Sequence, residues 1–92
     1  MENNIHETSI IGDKVKLGKN NTICENVIIQ GDIQIGDNNY FGPFTHISNS
    51  VEIKNFNKFF GQLSIGSLGE MGSKGDIFIE DGKVIIGSHN IF

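Results

Sequence analysis

The chain has 92 residues, enough for one small domain in which burial is thin and partners often help. It holds sixteen Ile, eleven Asn and twelve Gly but no Ala, Arg or Trp, so β-branched and turn residues abound, two strong helix formers are missing, and a mostly helical fold is disfavoured. The net charge is −4 and the seven lysines are scattered, with no Arg to fork onto a phosphate, which argues against a nucleic-acid partner.

The opening "MENNIHETSI" is neither basic nor apolar enough for a signal peptide. No run approaches the roughly 18 apolar residues of a membrane span. Cys24 is the single cysteine, so an internal disulfide is impossible and nothing points to an oxidising compartment. A cytoplasmic setting is expected.

From Ile5 onward a large apolar residue arrives at every sixth position: Ile5, Ile11, Leu17, Ile23, Ile29, Ile35, Phe41, Ile47, Ile53, Phe59 and Ile65. At this composition chance would produce such a run in roughly one of ten thousand sequences. A helix wants spacings of three and four and a coiled coil wants seven, so neither fits. Gly follows the apolar residue at Gly12, Gly18, Gly36, Gly42 and Gly66, and pairs such as "DK", "NN" and "EN" come next. These residues tolerate turn conformations that β-branched ones resist.

Each hexad therefore reads as a short strand and a corner, with the sixth-position residue pointing inward. A second inward row precedes it by two places at Val15, Val27, Ile33, Val51 and Leu63. Asn21, Asn39 and Asn57 interrupt that row, and asparagines so placed can form side-chain ladders between stacked strands. Three hexads close an 18-residue coil, and coils stack at the strand spacing of about 4.8 Å. The expected fold is an all-β parallel β-helix of the hexapeptide class.

The beat fails after Ile65 and returns 21 residues later at Ile86. Regular coils are expected over 5–66, an inserted loop or hairpin over 67–83, and a resumed coil over 84–92, all within one domain, 1–92. Inside the insert, "DIFIEDGKVII" alternates apolar and polar residues around Asp81-Gly82, a hairpin signal that predicts extended, paired segments at 77–79 and 83–85.

"IIGDKV", "IQIGDNN" and "VIIGSHN" resemble the hexapeptide-repeat acyltransferases, a resemblance that implies a left-handed β-helix. "IHETSIIGDKVKLGKNNTI" and "FNKFFGQLSIGSLGE", followed by the insert, are most similar to the UDP-N-acetylglucosamine O-acyltransferases of lipid A synthesis. The resemblance implies a cytoplasmic homotrimer that moves an acyl group from a thioester carrier, acyl carrier protein or coenzyme A, to the amino-sugar nucleotide. No cofactor would be covalently bound. It also implies that the loop helps to cover the nucleotide-sugar site, with Glu70, Lys74 and Asp76 as its polar contacts. Of the family's loop, "SKGD" (Ser73 to Asp76) matches the later part, while an earlier glutamine–aspartate pair has no counterpart. The family's general-base histidine falls on coils beyond Phe92, so no catalytic residue is assigned and this chain alone is expected to be inactive.

His6, His46 and His89 are the three histidines, and each is expected at a corner or on the surface. Their wide spacing supplies no metal triad. "GSLGEMGSKGD" lacks the spacing of a phosphate-binding Walker loop. Cys24 is expected as a small buried residue, Phe59 as core, and Phe56 and Phe60 as outward residues at a subunit interface. Two alternative readings share the scaffold: a non-catalytic trimerisation or scaffold module, and a coenzyme-A-dependent sugar acetyltransferase.

Overall fold

A computed structural model describes residues 2–66 and 77–92. Among them the chain is all-β and without helix, wound into a three-sided parallel β-helix in line with the left-handed form expected of such hexads. The first face stacks β1 (Asn4–Ile5), β4 (Thr22–Ile23), β7 (Tyr40–Phe41) and β10 (Lys58–Phe59), in that order. The second stacks β2 (Ile10–Ile11), β5 (Ile28–Ile29), β8 (His46–Ile47) and β11 (Ser64–Ile65). The third runs from β3 (Val15–Leu17) through β6 (Asp32–Ile35) and β9 (Ser50–Ile53) to β13 (Lys83–Ile86), with β12 (Ile77–Glu80) at its end.

Register confirms the period. Ile5 pairs with Ile23, Ile11 with Ile29 and Leu17 with Ile35, each 18 positions on, and the next coils repeat this. The sixth-position residues therefore form three columns that fill the interior. From Ile23 to Ile65 every one of them is buried, as are Val27, Ile33 and Val51 of the second row. Removing an Ile side chain from water contributes about 1.5–3 kcal/mol, so these columns are the main stabilising term. In the first-face column Phe41, Phe59 and Phe92 stack with near-parallel rings at centroid separations of 5.0 and 5.1 Å.

The asparagines point in. Asn21, Asn39, Asn57 and Asn90 are buried in one column under Asn3. At each step the side-chain oxygen accepts from the backbone N–H of the asparagine one coil on, at 2.9 Å from Asn21 to Asn3, Asn39 to Asn21, Asn57 to Asn39 and Asn90 to Asn57. The side-chain N–H groups of Asn3, Asn21, Asn39 and Asn57 donate to the carbonyls of Gly18, Gly36, Lys54 and Gly87 at 2.8–2.9 Å. A corner must turn backbone polar groups away from the strand ladder, and buried groups of that kind need partners. The asparagine column supplies them.

Corner backbones explain the remaining pattern. Asn20, Asn38, Phe56 and His89 occupy equivalent corner sites and all are left-handed, with φ between 58 and 63°. Asn tolerates that region and Phe does so at a cost. At Gly18 and Gly36 the constraint is space: an added Cβ at either would run into backbone of the next coil.

After Ile65 the chain makes its excursion and returns in register. Ile86 pairs with Ile53 and Asn90 bonds Asn57, both 33 positions apart where other neighbours are 18 apart, so the excursion inserts 15 residues. The expected hairpin is present: β12 and β13 are antiparallel, with Glu80 opposite Lys83 and Ile77 opposite Ile86. Asp81 and Gly82 have φ of 52 and 77°, the doubly positive turn whose twist matches paired strands.

The ends of the columns depart from expectation. Ile5 is 41% exposed, and Ile11 and Leu17 are half-buried, because the first coil has a neighbour on one side only.

Candidate functional site

The polar residues singled out for ligand contact, Glu70, Lys74 and Asp76, lie outside the described residues, as does the segment 70–75 expected to be the mobile part of the insert. The structure places the flanks of that segment. It leaves from the corner after β11, where Gly66 has φ of 135°, and rejoins the third face at β12.

The third face carries an open depression of about 280 Å³ whose polar lining comes from Gln34, Glu52, Lys54 and Asn55. Gln34 and Glu52 are directly paired on adjacent strands, and alternation turns both outward from the core. Asn55 is held in place at its corner. Its side-chain oxygen accepts from the Asp37 N–H at 2.7 Å, and its own backbone N–H donates to the Ser88 hydroxyl at 3.2 Å. A carboxylate, an ammonium and two amides make a surface suited to hydroxyl-rich ligands.

The first face is different in character. Its corners carry Phe56 and Phe60, 52% and 63% exposed, with Lys58 between them and Ile91, 69% exposed, bridged to Lys58 from the next turn. Phe56 stacks flat on the exposed His89 ring at 5.1 Å, an arrangement that helps to hold its left-handed backbone. Phe44, 56% exposed and also left-handed at φ 65°, was not anticipated from the sequence. Its signal was available: Phe44 stands two residues after Gly42 where the corners carry Asn26 and Gln62, so a bulky residue there has no inward place to go.

The histidines are not brought together. His6 is exposed in the first coil beside Thr8, whose hydroxyl lies 2.9 Å from its Nδ1. His46 is exposed on the second face, and His89 sits at a corner of the first. Among the described residues no three His, Cys, Asp or Glu converge on a point where a metal ion could be held.

Cys24 is half-buried rather than buried. It directly follows an inward residue, so alternation turns its thiol to the outer surface of the first face, beside Tyr40. The hydrogen bond with the Cys24 side chain raises the Tyr40 phenol above its ordinary range, and charge interaction with Cys24, burial and Glu25 add to the shift.

Residues 8–49 match the family described as bacterial transferase hexapeptide (six repeats). No curated protein and no solved structure matches the chain. The hexapeptide match and the solenoid together support the hexapeptide-repeat superfamily. No helix among the described residues is long and apolar enough to cross a membrane.

Proposed function

We propose that the chain forms the N-terminal coils of a hexapeptide-class acyltransferase that works as a homotrimer in the cytoplasm. The reaction would move an acyl group from a thioester carrier, acyl carrier protein or coenzyme A, to a hydroxyl of an amino-sugar nucleotide such as UDP-N-acetylglucosamine. A C–O bond forms at the acyl carbon, the C–S bond breaks, and a base takes the hydroxyl proton. The role assigned to this chain is to bind the acceptor, because its three histidines stand apart at the surface on different parts of the solenoid.

The observation that carries this reading is the 15-residue insert, which leaves a rigid solenoid and lets Ile86 return onto Ile53 without loss of register. A corner so tolerant can present a polar loop at a fixed place on a scaffold, the arrangement in which loops most often carry binding. In this reading Lys74 attracts the diphosphate, while Glu70 and Asp76 accept hydrogen bonds from sugar hydroxyls.

A second reading, a non-catalytic trimerisation or scaffold module, draws on the exposed Phe44, Phe56, Phe60 and Ile91, which suit an interface better than a solvated surface. Calorimetric titration with UDP-N-acetylglucosamine, with Lys74→Ala and Asp76→Asn alongside, separates the two. Saturable binding weakened at least fivefold by either substitution supports the acceptor site. A homotrimer that takes up no nucleotide sugar supports the scaffold.

A further inference from the structure

We propose that the ridge between the first and second faces is a docking surface for a helical segment of another protein, basic over two turns and apolar over the next two. The proposal is independent of the acyltransferase reading.

The ridge is built from four stacked corners, 6–9, 24–27, 42–45 and 60–63. Hydrogen bonds fix their alignment. The Asn26 N–H donates to the Thr8 hydroxyl at 2.9 Å, the Phe44 N–H to the Glu25 carbonyl at 3.2 Å and the Gln62 N–H to the Pro43 carbonyl at 3.0 Å. The exposed character changes along the stack. The first two corners present Glu7 and Glu25, one above the other. The next two present the exposed rings of Phe44 and Phe60, flanked by half-buried Pro43 and Leu63.

Two features here destabilise the chain with no compensation inside it. Asn26, Phe44 and Gln62 share a left-handed backbone, with φ of 57, 65 and 50°, and a bulky residue in that region is an outlier. Phe56, at another left-handed corner, has the His89 ring stacked on it, whereas no ring stacks on Phe44 among the described residues. Phe44 lies in the third coil with a coil on either side, so its exposure owes nothing to the ends of the stack. Strain of this kind gathers where a ligand is clamped. The second feature is electrostatic. Glu7 and Glu25 repel across one coil spacing of about 4.8 Å, and no lysine shares these four corners, although Lys14 and Lys19 stand on the other two ridges. A cation seated between the carboxylates removes that repulsion, and an apolar group against Phe44 and Phe60 takes their rings out of water.

Spacing selects a helix. One helical turn rises about 5.4 Å, close to the coil spacing, so a helix laid along the ridge offers one side chain to each corner in turn. An extended strand repeats its facing side chains about every 6.7 Å and falls out of step. The helix N-terminus belongs at the acidic corners, where the positive end of its dipole meets Glu7 and Glu25.

The test titrates the full chain against a fluorescent helical peptide of about four turns, with arginine on the first two and leucine on the last two, followed by anisotropy. Saturable binding at tens of micromolar is expected. Phe44→Asn should weaken it at least tenfold while the melting temperature holds or rises, because Asn26 shows that asparagine suits this corner. Glu25→Gln should weaken it about threefold and flatten its dependence on salt. A peptide with the leucines first should bind several-fold more weakly. Failure of the arginine-first peptide to bind overturns the proposal, as does binding that ignores both substitutions. Sedimentation equilibrium addresses a second copy as the occupant. A wild-type oligomer that Phe44→Asn dissociates would give the ridge to a contact between copies and overturn the proposal, whereas unchanged assembly alongside lost peptide binding supports it.

Discussion

The first coil and the third are written in the same hexads, yet they are held very differently. Ile5, Ile11 and Leu17 of the first coil are exposed or half-buried, while Phe41, Ile47 and Ile53 of the third are fully shielded. Each hexad aims one side chain inward, but a coil alone cannot close over it. Shielding comes from the neighbouring coils, so burial here depends on position in the stack. The same holds for polar groups. Asn39 is gripped by coils on both sides, whereas Asn3 serves only the coil that follows it.

The largest expected effect follows directly. Ile35→Asp should cost about 5 kcal/mol or more, enough to unfold a domain of this size, because the carboxylate would be stranded among apolar columns. Ile5→Asp, at a site already 41% exposed, should cost about 1 kcal/mol or less. Thermal melting of both variants checks the contrast, and equal losses would break the comparison between end and interior.

Next in size is the asparagine column. Asn39→Ala deprives the Asn57 N–H and the Lys54 carbonyl of their partners, at 2.9 and 2.8 Å, and should destabilise by about 2–4 kcal/mol. Asn3→Ala should cost about 1 kcal/mol, since its end of the column is reached by water. Denaturant midpoints at unchanged slope measure both.

A smaller effect is expected at the corners. Phe56→Asn removes the ring stacked on His89 but relieves a left-handed backbone that Asn adopts readily, and these terms of about 1 kcal/mol oppose each other. Melting should move by no more than a few degrees while self-association at high concentration weakens. A large loss of stability would place Phe56 in the core after all.

The smallest effect concerns the outer surface of the first face. Replacing Cys24 with alanine should bring the Tyr40 phenol back toward its ordinary value, followed by ultraviolet titration. A raised phenol favours folding most fully below the ordinary tyrosine pKa of about 10, and that contribution is lost as the pH rises through the folded value. Any stability difference between the wild type and the Cys24→Ala variant from this source should therefore vanish at strongly alkaline pH.

Much of this architecture was legible in the chain because the repeat is local. A period of six with Gly, Asn and Asp at fixed phases defines strand, corner and inward row without reference to distant residues, and Asp81-Gly82 defines its own turn. The candidate site was legible only in outline. The break after Ile65 marks where the insert begins, but Glu70, Lys74 and Asp76 carry no periodicity that would fix their direction.

Tertiary structure decided what a single hexad cannot contain. Whether Asn21 and Asn39 point in depends on a neighbouring coil offering a backbone N–H to accept, and sequence spacing is silent on that. Whether Ile5 or Ile47 is buried depends on how many rungs surround it. Cys24 follows an inward residue and so meets Tyr40 at the surface instead of joining the core. The 21-residue gap became readable as one hexad plus 15 inserted residues only once Ile86 was seen paired with Ile53. Period is a property of neighbours along the chain, whereas burial, hydrogen-bond satisfaction and edge coverage are properties of neighbours across the stack.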